Sequence, residues 1–186
     1  TVEEAKDFME EVPEKQPFMA TSCCPAWSVM AKKTFPDIAP YISMALTPMV
    51  LTGRLTKQHY PDCRVVFIGP CAAKKLEASR RSIRSDIDFL MTFEEDAGKF
   101  AAKEVDFNAV EVDEKPLSFS SADGRGFAVS GGVAKAVVNA IHKLDPEREV
   151  KVANAQGLDE CVKLLRMAKA GKYNGYLLEG MGCPGG

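Results

Sequence analysis

The sequence predicts an α/β fold with a mainly parallel sheet flanked by helices, on three observations. Short apolar runs alternate with amphipathic stretches along the 186 residues. The runs at 64–68 and 87–92 are β-branched and aromatic, and the first has the composition of a strand buried on both faces. Three runs end in a loop carrying Cys and Pro, and the first two of these loops continue into a helix.

Each element follows from local chemistry. Residues 3–12 read as a short helix with Ala5, Phe8, Met9 and Val12 on one side, ended by Pro13 and Pro17. Residues 18–20 suit a short strand. Pro25 suits the first turn of a helix over 26–35, and Pro48 can open another over 49–60. The strand at 64–68 leads through Gly69-Pro70-Cys71 into a basic helical stretch from 72 to about 81. After the strand at 87–92, Thr92 caps a helix running to about 104, with Glu95 at the capping-box position. Residues 105–127 are polar and Gly-rich, which predicts loop with short strands at most; Asp123-Gly124-Arg125-Gly126 reads as a turn, since it lacks phosphate-loop spacing. Ser130-Gly131-Gly132 leads into a helix whose Val133, Val137, Ile141 and Leu144 share a face. A third strand is expected at 149–155 and an amphipathic helix at 158–170, stopped by Gly171. A fourth strand at 173–178 enters Glu179-Gly180-Met181-Gly182-Cys183.

Composition narrows the function. A net charge of −2 gives no reason to expect a nucleic-acid or anionic-membrane partner. No apolar run approaches the roughly 20 residues of a membrane-spanning helix. The N-terminus has neither the basic start nor the apolar run of a signal peptide. The chain begins without Met and stops on Cys183-Pro184-Gly185-Gly186, so both ends read as cuts in a longer, cytoplasmic protein. Six cysteines (23, 24, 63, 71, 161 and 183) stand in a chain too rich in apolar residues to need a disulfide framework, so reduced thiols, some of them metal ligands, are expected.

The three Cys-Pro loops are FMA-TSCCPAW, RVVFI-GPCAAKK and YLLEG-MGCPGG. In parallel α/β sheets, functional groups collect at the carboxyl ends of strands, so these loops can bring Cys24, Cys71 and Cys183 together. Helix N-termini nearby favour thiolates, which bind zinc, copper(I) or iron–sulfur clusters. The alternative, small buried hydrophobes at strand ends, stands level with this on spacing alone. Cys63 and Cys161 read as structural, and His59 and His142 as surface residues.

TSCCPAW, GPCAAKKLE and EGMGCPGG, in that order, resemble the three signature motifs of the iron-only (FeFe) hydrogenase catalytic domain. GFAVSGGVAKAV resembles a fourth segment of that family, and the resemblance covers essentially the whole chain. It implies part of a two-lobed domain that holds the H-cluster, a 4Fe–4S cubane joined to a two-iron unit carrying CO, cyanide and a bridging dithiolate amine. By motif position it implies Cys24, Cys71 and Cys183 as cubane ligands, with a fourth cysteine just beyond Gly186. It implies Cys23 as proton donor and acceptor, Lys74 as the partner of a cyanide ligand with Glu77 at its motif offset, and Ser43 on the proton path with Glu4 and Asp7 as acidic members. Pro70, Met181 and Phe127 fall at positions around the two-iron unit. The plain alternatives are a solvated lysine for Lys74, a helix cap for Ser43, a solvated helix face for Glu4 and Asp7, and ordinary core for Met181 and Phe127.

Departures from the family pattern are Gly69 for Met, Met49 near a Gln position, Ala26 for Gly and Ala128 for Gly. They suit a divergent, sensory-type branch, since loss of a hydrogen-bond donor and of a bulky sulfur neighbour would retune the two-iron site. The resemblance thus implies reversible reduction of protons to H2 with ferredoxin-like carriers or attached iron–sulfur domains as electron partners. A hydrogen- or redox-sensing regulator and a 4Fe–4S scaffold are the two alternatives. The 186-residue piece by itself is expected to carry no cluster and no activity.

Overall fold

A computed structural model describes residues 1–111 and 120–186. The chain divides into two compact units: Thr1–Leu46 with Phe119–Gly186, and Thr47–Ser118. All strand pairings in both are parallel.

The first unit is built on β1 (Met19–Ala20), β4 (Lys151–Gln156) and β5 (Tyr176–Met181), ordered β1-β5-β4. Met19 pairs with Leu177 and Ala20 with Leu178. Because side chains alternate along a strand, these two pairs serve opposite faces of the sheet. On one face Met19 and Leu177 pack with Ala5 and Phe8 of α1 (Val2–Glu11) and Ala134, Val137 and Ile141 of α7 (Gly132–Leu144). On the other, Ala20 and Leu178 pack with Trp27 and Ala31 of α2 (Pro25–Thr34) and Cys161, Leu164 and Leu165 of α8 (Leu158–Lys169). Helix α8 ends in a Schellman turn: Gly171 N donates to Ala168 O and Lys172 N to Met167 O, with Gly171 at φ +83.

The second unit pairs β2 (Val66–Gly69) with β3 (Phe89–Thr92) and adds α3 (Pro48–His59), α4 (Ala73–Ala78) and α5 (Phe93–Ala102). Asp88 ties its start together, accepting from Val65 N at 2.7 Å and pairing with Lys57 at 2.8 Å and Arg64 at 3.2 Å. The expected capping box is present: Thr92 N donates to Glu95 Oε2 at 2.9 Å and Glu95 N to Thr92 Oγ1 at 3.3 Å.

Several expectations are corrected. Strand β2 is not buried on both faces, since Val66 and Ile68 are 47% and 45% exposed and Phe89, opposite Val66, is 62% exposed. An apolar run announces a strand but not how many layers cover it. The helix after Cys71 stops at Ala78, where the Ser79 hydroxyl turns back to Leu76 O at 2.9 Å. Strand β5 begins three residues later than expected, because Gly175 at φ +82 still belongs to the turn. Residues 122–125 are not a turn but a short helix, α6 (Ala122–Arg125), capped by Ser121 Oγ at 3.0 Å from Gly124 N. The rest of that expected loop includes 112–119, which lie outside the described residues. Leu144 sits at the end of α7 and is exposed rather than in the apolar stripe, and Leu158, the first residue of α8, is exposed as well.

Candidate functional site

The TSCCPAW loop leaves the carboxyl end of β1. Thr21 N donates to Leu178 O at 2.9 Å, and the fully buried indole of Trp27 donates to Thr21 O at 2.9 Å. The indole lies flat against β5: a Cβ on Gly180 would stand 2.1 Å from Trp27 Cδ2, so only glycine permits this approach. Cys24 is the N-cap of α2 with Pro25 at the first helical position. Its Sγ accepts a hydrogen bond from Gly182 N at 3.3 Å. The first and third cysteine loops therefore meet within this unit, Cys24 beside the residue preceding the exposed Cys183. Cys23 is half-buried next to Cys24. Thr21 Oγ1, two residues before Cys23, is the one buried side-chain N or O atom without a hydrogen-bond partner among the described residues.

Beneath this loop lies a buried polar group. Glu4, on α1, is 5% exposed, and Ser43 is 6% exposed. The Glu4 carboxyl is hydrogen-bonded by the Ser43 hydroxyl and the Ser22 backbone N–H, and burial holds its pKa above the ordinary 4.5. Ser43 is itself fixed by Ser43 N to Ala20 O at 2.8 Å and by Ala45 N to Ser43 Oγ at 3.2 Å. Glu4 is buried rather than on a solvated helix face, and the cap of the following helix α3 is Thr47, not Ser43. Asp7 is half-buried.

Glu179 was not singled out by the sequence reasoning. It is fully buried on β5, and its two oxygens accept Gly131 N at 2.8 Å and Ala134 N at 2.7 Å, capping α7 from another strand. Gly131 reaches this arrangement at φ +85. Burial, opposed by these N–H donors, leaves the carboxyl pKa raised. The available signal was an acid in a Gly-rich strand end together with a Gly-Gly helix start lacking its own cap. Met181 ends β5 nearly buried, and Phe127 is half-buried. Cys161 is fully buried, and burial, then nearby Cys24, pushes its thiol up to about 11. Its hydrogen bonds to Met181 O and Ala155 O were not foreseen.

In the second unit Pro70 is exposed and Cys71 half-buried after β2. Lys74 Nζ donates to Glu77 Oε2 at 2.7 Å, and Thr47 Oγ1 donates to Glu77 Oε1 at 2.8 Å. The Lys74 and Glu77 side chains are only 13% and 5% exposed, whereas Lys75 is 42% exposed and pairs with Glu95. Lys74 is therefore not the solvated lysine of the plain alternative. Gly69 is buried, with the Phe67 ring 2.7 Å from where a Cβ would sit, so a Met there would displace that ring. Met49 is buried on α3. Cys63 is half-buried, and His59 and His142 are exposed as expected. Inside either unit, no three His, Cys, Asp or Glu side chains of the described residues gather into a metal-holding group. No described helix is long and apolar enough to cross a membrane.

Parallel strands with cysteine-bearing loops at their carboxyl ends and buried polar residues nearby define the class as an α/β protein with parallel sheets. Its fold is that of the apo FeFe-hydrogenase HydA1 variant C377H from Chlamydomonas reinhardtii, matched with TM-score 0.75 at 21% identity over 98% of this chain and 64% of that one. Residues 1–186 match the family of the iron-only hydrogenase large subunit, C-terminal domain, and the chain belongs to that family. It is 29% identical to the periplasmic Fe hydrogenase large subunit of Nitratidesulfovibrio vulgaris, over 99% of this chain and 54% of that protein. It is 27% identical to iron hydrogenase 1 of Clostridium pasteurianum, over 96% of this chain and 34% of that protein. The cytosolic Fe–S cluster assembly factor NAR1 of Kluyveromyces lactis is 34% identical over 54% of this chain and 21% of its own length. The chain thus spans about half of one hydrogenase relative and a third of the other.

Proposed function

We propose that these residues are part of the H-cluster domain of an iron-only hydrogenase whose whole protein interconverts H2 with protons and electrons. The observation that carries this is buried Glu4, bonded by the Ser43 hydroxyl and the Ser22 N–H one residue before Cys23. A buried carboxyl beside a hydroxyl, next to the cysteine loop, has the geometry of a proton relay.

The donor set fits an iron–sulfur cubane: cysteine thiols on strand-end loops, one already receiving a backbone N–H. In this reading Cys24, Cys71 and Cys183 are three of the ligands that would hold the cubane. When bound, the cubane and its two-iron unit supply the electron store and the reacting metal centre. Cys23 carries the proton at its Sγ to and from that centre, and Ser43 and Glu4 pass it on toward Asp7. Glu77 holds the Lys74 ammonium in place for a cyanide ligand. Pro70, Met181 and Phe127 pack around the two-iron unit and exclude water. Electrons come from ferredoxin-like carriers or attached iron–sulfur domains, in the cytoplasm.

The test is H/D exchange together with H2 uptake and evolution by the full-length protein matured with both iron units. Exchange is expected in the wild type and should fall about a hundredfold or more in Cys23→Ala at unchanged iron content, the usual worth of a positioned acid–base group. No exchange in the wild type would sink catalysis.

A sensing role has one observation in its favour. Gly69 and Met49 stand where the family pattern has Met and Gln, and the Phe67 ring fills the space above Gly69. A matured protein that binds H2 but turns over slowly would favour it.

A further inference from the structure

The peptide unit between Met181 and Gly182 is held at both ends. Its N–H donates to Cys24 Sγ at 3.3 Å. Its carbonyl, Met181 O, accepts from Gly157 N at 2.9 Å and from Cys161 Sγ at 3.4 Å. Cys161 Sγ also lies 3.7 Å from Ala155 O, so the thiol sits between the carboxyl ends of β4 and β5. Its own backbone N–H is fixed to Gly157 O at 3.0 Å, in the first turn of α8. The thiol is fully buried, with Leu164, Leu165 and Ala168 of the same helix packed into the same core. Two donors on one carbonyl polarise the peptide and orient it, and a polarised, fixed peptide makes a stronger N–H···S bond. The peptide has little freedom of its own: a Cβ on Gly182 would stand 2.8 Å from the Ala26 Cβ.

We propose that Cys161 is a positioning residue which, through the Met181–Gly182 peptide, sets the hydrogen bond received by the Cys24 sulfur and thereby tunes the cluster that this sulfur ligates. The second half rests on the reading of Cys24 as a ligand; the first half does not. Hydrogen bonds to ligating sulfurs offset negative charge on the reduced cluster and raise its potential. Cys161 itself stays a protonated donor and does not compete for iron.

The test compares Cys161→Ala, Cys161→Ser and Leu165→Ala in the full-length protein. Leu165 is a fully buried neighbour on α8 with no hydrogen-bonding group, so it reports plain loosening of the core. In the unloaded protein, Gly182 amide hydrogen exchange should speed about fivefold in Cys161→Ala, the worth of one modest hydrogen bond, and stay near wild type in Cys161→Ser, which keeps a donor. In the reconstituted protein, the cubane midpoint potential, read by EPR during a redox titration, should fall in Cys161→Ala and be restored in Cys161→Ser. Leu165→Ala should lower the unfolding midpoint while leaving both readouts unmoved. Wild-type exchange at Gly182 in Cys161→Ala, or a Leu165→Ala variant that shifts the readouts equally, overturns the positioning role. An exchange effect without any shift in potential keeps the positioning but overturns the tuning, and a full cubane iron content in Cys24→Ala removes Cys24 as a ligand.

Discussion

Lys74 and Glu77 form an ion pair of 2.7 Å one helical turn apart, and both side chains are almost withdrawn from water. Most i,i+3 pairs on a helix are solvated and contribute a few tenths of a kcal/mol. This one differs because Thr47 Oγ1 satisfies the second carboxylate oxygen, so the acid is held from two sides. Removing one partner leaves the other buried and uncompensated. Lys74→Ala should therefore cost about 3 kcal/mol in denaturant unfolding. Replacing both, as Lys74→Met with Glu77→Leu, should recover much of that loss while abolishing any role of the ammonium at the cluster.

Two carboxylates with opposite shifts predict opposite limbs of the stability curve. Burial raises Glu4 above 4.5, so the folded state binds its proton more tightly than the unfolded chain does. Its contribution is fully present below 4.5 and is lost as pH rises through the raised value. Glu179 acts in the same sense. Asp88 is held down to about 2, first by Lys57 and then by the Val65 N–H, so its contribution is present above 3.8 and lost as pH falls toward about 2. Unfolding free energies measured across this range should show Glu4→Gln flattening the decline above pH 4.5 and Asp88→Asn removing part of the acid limb.

The backbone of β5 and the exposed face of α5 make a contrasting pair of glycines. Gly180→Ala would place a methyl group 2.1 Å from the Trp27 ring and should cost about 2 kcal/mol or more, with disturbed tryptophan fluorescence. Gly98, inside α5, has nothing within 4 Å of its added Cβ. Gly98→Ala should stabilise the protein by about 0.5–1 kcal/mol. Thermal unfolding of the two variants separates them by sign.

Local rules were legible in the sequence wherever a neighbour in sequence decided the outcome. The Thr92–Glu95 capping box, the Gly171 stop and the buried stripe Val133, Val137 and Ile141 are of that kind. Exposure was less legible. Val66 and Ile68 have the composition of a doubly covered strand, but among the described residues β2 has one strand neighbour, and both side chains are exposed. Buried acids were the least visible. Glu4 and Glu179 look like surface residues until Ser43 or the start of α7, 39 and 45 residues away in the case of Ser43 and Ala134, supplies the hydrogen bonds. The cysteine motifs were legible as strand-end loops and as a family resemblance, while the contact of Gly182 N–H with Cys24 Sγ depends on the β1–β5 pairing between distant strands.

The most direct test of a two-iron unit on this domain is infrared spectroscopy of the full-length protein after maturation. We expect bands from iron-bound CO and cyanide, with the cyanide bands shifted in Lys74→Ala and the whole set lost when Cys24 is replaced by Ala. A matured protein that carries a cubane by iron content and EPR but shows no CO or cyanide bands would contradict the account and leave a cluster scaffold.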